Sequence, residues 1–64
     1  MTITIMMTYG GSTSTYNTFY VNGVQATRIG QGAGATPSAV NLQNYTIICT
    51  APNQYSYYWW ATPL

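Results

Sequence analysis

The first nine residues alternate between threonines and apolar side chains. Alternate positions of an extended chain would place Thr2, Thr4 and Thr8 on one side and Ile3, Ile5, Met7 and Tyr9 on the other, with Met6 as the exception. A two-residue period of β-branched and apolar residues is typical of a half-buried strand. We therefore predict a strand over residues 2–9, ended by the glycines at positions 10 and 11.

The second pattern is a turn between two β-prone segments. Asn22 and Gly23 lie at the centre of STSTYNTFYVNGVQATRI, residues 12–29. Asn-Gly favours a two-residue type I′ turn, in which both residues have a positive φ. Because such a turn fixes the register, we predict these hairpin pairs: Val21 with Val24, Tyr20 with Gln25, Phe19 with Ala26, Thr18 with Thr27, Asn17 with Arg28 and Tyr16 with Ile29.

The remaining chain contains a glycine-rich segment and two further strand-like runs. Residues 30–38, GQGAGATPS, predict a flexible loop, since glycine is conformationally free and Pro37 sets a boundary. The apolar run of residues 45–50 predicts a strand with Tyr45, Ile47 and Cys49 on one side and Thr46, Ile48 and Thr50 on the other. Residues 51–54 predict a turn. YSYYWW, residues 55–60, predicts the last strand, and Pro63 is expected to block further pairing.

These elements predict an all-β protein. We expect one small domain over residues 1–64, with about five short antiparallel strands in a meander, half of a sandwich or a small barrel. So short a chain buries little surface, and its single cysteine excludes an internal disulfide. Because a small domain without an internal disulfide needs another source of stability, we expect strand pairing between subunits to supply it.

Charge is almost absent from the sequence. Arg28 is the sole charged side chain, and the residues are 47% hydrophobic and 16% aromatic. A wholly disordered chain, the alternative to a folded one, normally has few aromatics and high net charge. An uncharged surface does little to oppose association. Two roles stay open for Arg28: an exposed edge residue that discourages strand addition, or a contact between subunits with the Leu64 carboxylate or a tyrosine ring.

The side-chain inventory excludes most kinds of active site. The sequence has no His, Asp, Glu or Lys, the residues that supply most general acids, bases and metal ligands. Cys49 lies in an apolar run without a histidine to activate it, and we interpret it as a small buried hydrophobe. One arginine cannot line a phosphate-binding groove. We therefore expect a protein that is not an enzyme and has no cofactor, metal or nucleic-acid partner.

Sequence signals for location and modification are weak. No apolar run reaches the roughly 18 residues that a membrane span needs. MTITIMMTYGG, residues 1–11, lacks a basic segment, so no secretory signal is visible. Asn44, Tyr45 and Thr46 match the N-glycosylation pattern, which arises often by chance in a chain rich in Asn and Thr. The compartment stays undetermined, with a virion or an extracellular assembly favoured.

The aromatic run of residues 55–60 indicates a contact surface. Five of these six residues carry rings, and a strand would project them to both faces. A domain of this size has too few partners to bury both sets, and Tyr and Trp are enriched at binding hot spots. We therefore predict an assembly interface or binding surface formed by Tyr55, Tyr57, Tyr58, Trp59 and Trp60, together with Tyr16, Tyr20 and Arg28.

Two functions compete for this surface. The first is a structural protein, either a filament subunit or a virion coat or decoration protein, that binds copies of itself or a larger coat or fibre protein. It accounts for the small size, the low charge and the two-sided aromatic strands together. The second is a small carbohydrate-binding module, in which Tyr and Trp rings stack on a glycan while Asn and Gln bind its hydroxyl groups.

Overall fold

The computed structural model describes residues 2–9, 17–30, 36–53 and 55–64, with only the backbone of Asn17. These ranges contain seven strands and no helix, which confirms the predicted all-β class. In chain order the strands are β1 (Ile5–Tyr9), β2 (Asn17–Val21), β3 (Val24–Gln25), β4 (Thr27–Arg28), β5 (Ser38–Leu42), β6 (Tyr45–Asn53) and β7 (Ser56–Pro63).

The strands form two antiparallel sheets. The first has the order β1-β2-β3 and the second has the order β4-β5-β6-β7. The chain passes from one sheet to the other at Ala26, whose N–H donates to the carbonyl of Phe19 at 2.8 Å. The next residue, Thr27, already pairs with Ala39 of β5. A single extended segment thus belongs to both sheets and joins them at a corner.

One buried cluster lies between the two sheets. Its members are Phe19 and Val21 of β2, Ala26 at the corner, and Ile47, Cys49 and Ala51 of β6. Partly buried side chains pack around it: Ile3, Ile5, Met7, Val40 and Leu42. The predicted alternation of residues 2–9 is confirmed, because the odd positions are half-buried and the even positions are exposed. The predicted burial of Cys49 is confirmed as well.

The predicted hairpin register is right near the turn and wrong farther away. Val21 pairs with Val24 and Tyr20 with Gln25, as expected. Beyond Ala26 the predicted pairs do not form: Thr27 pairs with Ala39 and Arg28 with Ser38, while Thr18 and Asn17 pair only on the β1 side, with Thr8 and Tyr9. The physical reason is the corner at Ala26. There the chain leaves the first sheet after β3, joins the second sheet as β4 and covers the core from the other side. Tyr16, predicted opposite Ile29, lies outside the described residues.

Asn22 forms the predicted turn and also holds the N-terminal segment. Asn22 and Gly23 have φ values of 51° and 83°, the positive values that the predicted turn requires. The N–H of Asn22 donates to the carbonyl of Thr4 at 2.8 Å. Its side-chain Oδ1 accepts from the N–H of Thr4 at 2.7 Å, and its Nδ2 donates to the carbonyl of Thr2 at 3.0 Å. One asparagine therefore continues the pairing of the first sheet beyond β1.

The second sheet contains a hairpin that the sequence analysis did not identify. β5 and β6 pair from Leu42 opposite Tyr45 to Ser38 opposite Cys49, and Gln43 takes a positive φ of 54° in the connection. Ser38 falls in the predicted loop of residues 30–38, and the prediction is wrong for this residue, because it is buried and begins β5. At the other end, Ile29 donates its N–H to the carbonyl of Pro37 at 2.7 Å. Residues 31–35 lie outside the described part of the chain.

The predicted turn over residues 51–54 is wrong. β6 runs to Asn53 with a register irregularity after Thr50, so the strand continues past Pro52. The turn is made by the Asn53 side chain, whose Oδ1 accepts from the N–H of Tyr55 at 2.8 Å and from the N–H of Ser56 at 3.1 Å. Asparagine mimics a backbone turn in this way.

Pro63 does not end the pairing of the last strand, contrary to the prediction. It lies opposite Tyr45, and the N–H of Leu64 then donates to the carbonyl of Asn44 at 2.9 Å. Backbone groups along a strand point alternately to its two sides. The N–H of Leu64 points towards β6, so the position where Pro63 lacks an N–H faces the free side of β7. The proline therefore removes no hydrogen bond from the sheet.

We predict that Asn22→Ala destabilises the fold by about 2 kcal/mol, because it loses two side-chain hydrogen bonds and forces alanine into a left-handed conformation. Asn22→Gly is the matched control, since it loses the same bonds but accepts the positive φ. We expect it to lose about half as much free energy of unfolding in urea titrations followed by tryptophan fluorescence. Equal losses would show that the backbone conformation contributes nothing, and unchanged stability in both would contradict the role of Asn22.

Candidate functional site

β7 is the last strand of the second sheet and its most exposed one. Within the described residues only β6 pairs with it, so its other side is a free edge. All eight of its residues are exposed. Large fractions of its aromatic side chains reach solvent: 62% for Tyr58, 45% for Trp60 and 42% for Trp59. β7 therefore combines unpaired backbone groups with accessible rings.

The pairing with β6 shows which rings share a side of the sheet. Residues directly opposite each other in an antiparallel pair project to the same face. Trp59 lies opposite the buried Cys49, so it is on the core side. Trp60 lies opposite Ile48, which places it on the outer side. The predicted split of the aromatic run over two faces is thus what the register gives.

The core side of β7 is only partly covered. The ring of Tyr57 meets the ring of Phe19 edge-on, with centroids 6.3 Å apart and planes at 68°. Farther along the strand, an open cleft of about 240 Å³ is lined by Ile3, Tyr45, Ile47, Trp59 and Ala61. Tyr57 thus extends the buried cluster, whereas Trp59 stays accessible at its margin.

The outer side of the second sheet carries a second apolar surface. Tyr58 and Trp60 lie there beside three half-buried residues of β6, and we call this set the outer patch: Thr46, Ile48, Thr50, Tyr58 and Trp60. The hydroxyl of Thr46 donates to Oδ1 of Asn41 on β5 at 2.8 Å. The outer patch contains no charged side chain, since Arg28 is the only one in the sequence.

The free edge of β7 presents a defined set of backbone groups. Because the N–H of Leu64 points towards β6, the alternation along the strand directs the groups of Pro63, Ala61, Trp59 and Tyr57 away from the sheet. Ala61, Trp59 and Tyr57 therefore offer both an N–H and a carbonyl to another strand. Pro63 offers a carbonyl only.

The structure brings together some of the predicted site residues and separates others. Those at positions 57–60 lie in β7, and Tyr55 lies just before it. Tyr20 lies in β2, half-buried, on the face of the first sheet that points away from the core. Tyr16 lies outside the described residues. Sequence reasoning missed Ala61 as an edge residue, because Pro63 was interpreted as the end of pairing.

Arg28 lies far from the aromatic strand. It belongs to β4, which forms the opposite edge of the second sheet, and it is half-buried opposite Ser38. Together with Thr27 and Asn41 it lines an open depression of about 600 Å³ at that edge. The only fixed side-chain charge is therefore remote from β7.

The described residues include one buried thiol and no cluster of metal-binding side chains. No group of three or more His, Cys, Asp or Glu side chains occurs among them. No helix in the described ranges is long and apolar enough to cross a membrane. The thiol of Cys49 is fully buried, and this burial raises its pKa above the ordinary value of 9.0. A protonated, inaccessible thiol is a poor nucleophile.

The raised pKa of Cys49 predicts a loss of stability at alkaline pH. The unfolded thiol ionises near 9.0 while the folded thiol stays neutral, so its contribution is complete below that pH and falls as the pH rises above it. We expect the free energy of unfolding to decline more steeply above pH 9.0 than in Cys49→Ala, in parallel urea titrations. Identical pH profiles for the two proteins would contradict this.

No protein-family model, no curated protein and no solved structure matches the chain. The function is therefore inferred from the surface and chemistry of the molecule.

Proposed function

We propose that this chain is a non-enzymatic structural protein that assembles with copies of itself or docks on a larger coat or fibre protein. A filament subunit or a virion coat or decoration protein would have this role. The observation that supports the proposal most is β7, an uncharged edge strand that is exposed along all eight residues. Its aromatic side chains and free backbone groups are the groups that strand pairing between chains uses.

The two edges of the second sheet differ in how they are protected. Natural proteins blunt free edges with short strands, charged side chains or proline. β4 is two residues long and carries Arg28, so it has two of these protections. β7 is eight residues long and has only Pro63 at its end. The difference supports β7 as the edge that meets another chain.

Aromatic burial supplies the driving force for this contact. Rings of Tyr and Trp dominate interface energetics and keep a polar atom for a hydrogen bond. Each ring of β7 that passes from about half-exposed to buried would stabilise an assembly by about 1 kcal/mol. The outer patch adds Ile48 and two threonines to this area. The β7 edge can contact one further chain and the outer patch another, so the two surfaces together allow an assembly of many subunits.

A carbohydrate-binding module is the second candidate, and one observation favours it. Tyr58 and Trp60 project from one face, about 7 Å apart along the strand, and Asn41 lies on the same face two strands away on β5. Rings in this arrangement can stack on a glycan. The amide oxygen of Asn41 already accepts from Thr46, however, and the free backbone edge has no role in this function.

We expect sedimentation velocity of the purified chain to show large, defined particles whose population grows with concentration. Trp59→Ala and Trp60→Ala should each reduce this population more than Arg28→Ala, because Arg28 lies at the opposite edge of the sheet. Equal effects of the three substitutions would show that the interface lies elsewhere. A folded monomer at every concentration would overturn assembly and favour a glycan ligand.

Assembly should respond little to pH between about 3 and 7, because the sequence has no side chain that titrates in this range. Light scattering of the chain with a blocked terminal carboxyl group measures this directly. A sharp dissociation step in acid would argue against contacts made by uncharged strands.

A further inference from the structure

We infer that two copies of the chain join through β7, antiparallel to each other and related by a two-fold axis at Trp59. The inference rests on the proposed function and specifies its contact: β7 pairs with β7 of the second copy. The two four-stranded sheets then become one continuous sheet of eight strands. Because the two strands are identical and antiparallel, each residue must fit the residue that lies equally far from the axis on the other side.

The backbone of the free edge is compatible with this register. Strand pairing exchanges two hydrogen bonds between opposed residues whose N–H and carbonyl groups both point across the gap. With the axis at Trp59, this residue meets the partner's Trp59, and Tyr57 meets the partner's Ala61. Every residue in these pairs has an outward N–H, so each pair can exchange both of its bonds.

Neither neighbouring register lets every opposed pair exchange both bonds, although the one with its axis at Trp60 makes as many bonds in total. With the axis at Trp60, Tyr57 would face the partner's Pro63, which has no N–H to donate. With the axis at Tyr58, Ala61 would face the partner's Tyr55, which lies before the strand begins. Pro63 leaves one pair incomplete in the Trp60 register but does not by itself select between the two registers, so the side-chain pairs decide.

The side chains are complementary in the same register. On the outer side Tyr58 meets the partner's Trp60, and the reciprocal pair forms next to it. On the core side the small Ala61 meets the ring of the partner's Tyr57. At the strand ends Ser56 meets the partner's Thr62, which suits a hydroxyl hydrogen bond. Aromatic pairs and hydroxyl pairs across strands are both stabilising.

The charge distribution fits a second copy as the partner. β7 carries no charge, and each Arg28 lies on the far edge of its sheet. In the eight-stranded sheet the two β4 strands are seven strand spacings apart, roughly 34 Å, which exceeds the Debye length at physiological salt several-fold. Two identical chains with a formal net charge of +1 therefore meet almost without repulsion.

The register of the β7–β7 pair can be measured by disulfide formation between single-cysteine variants. Cys49 lies opposite Trp59, so Cys49→Ala is the background for every variant. In this background Trp59→Cys, Tyr58→Cys and Trp60→Cys are each oxidised with copper phenanthroline and run on a non-reducing gel. Only Trp59→Cys places two thiols directly opposite each other, and the diagonal separation of about 7–8 Å in the other two is too long for a disulfide.

We expect at least about ten times more linked dimer for Trp59→Cys than for the other two variants, because only its Cα atoms lie within disulfide range. A dominant dimer from Tyr58→Cys or Trp60→Cys would overturn the register. Wild-type particles in sedimentation with no linked dimer from any variant would overturn edge pairing while leaving assembly intact. A wild-type monomer would overturn both.

A second measurement keeps Trp59 in place in case its replacement weakens association. Tyr57→Cys and Ala61→Cys, each in the Cys49→Ala background, are mixed and oxidised. We expect a mixed dimer and little linkage of either variant with itself, and the opposite distribution would overturn the inference. Ala61→Pro removes an outward N–H without touching the pairing with β6, and it should raise the dimer dissociation constant about tenfold or more. Unchanged dissociation by a folded Ala61→Pro would also overturn the inference.

Discussion

The packing of β2 against β6 holds this molecule together. Phe19 and Val21 from one strand and Ile47, Cys49 and Ala51 from the other make up most of the fully buried cluster. β6 also lies between β5 and β7, so the second sheet is organised around it. Everything farther out, including the aromatic strand, depends on this small contact for its position.

The corner at Ala26 makes the contact between sheets attainable for so short a chain. A hairpin that stayed in one sheet would leave the apolar faces of β2 and β6 without a common partner. Because only Ala26 separates β3 from β4, the chain changes sheets without a separate connecting loop. Asn22 then holds residues 2–4 beside the turn, which allows Ile3 to pack at the margin of the core.

The small core also explains why so many rings lie on the surface. The buried cluster takes Phe19 fully and meets Tyr57 at one edge, and it has no room for the other rings of β7. These rings consequently stay exposed on both faces of an uncharged edge strand. The exposed aromatic surface is thus a consequence of placing four of the ten aromatic residues in β7, which pairs on one side only within the described residues.

The sequence by itself determined those elements that depend only on residues close together in the chain. The alternation of residues 2–9, the Asn22-Gly23 turn and the two-sided aromatic run each follow from backbone preference or from a period of two. Composition likewise determined the absence of acids, bases and nearly all charge. The burial of Cys49 followed from the apolar run around it.

Only the tertiary structure decided the corner, the β5–β6 hairpin and the position of β7 at an edge. The corner at Ala26 forms because Thr27 pairs with β5 rather than with β2. The residues next to Thr27 in sequence do not show which of these two pairings is more stable. Gln43 adopts a positive φ that its residue type does not favour, because the pairing on both sides imposes it. The effect of Pro63 depends on which side of β7 is free. Pro63 leaves the hydrogen bonds of its sheet intact, because the position of its missing N–H points away from β6.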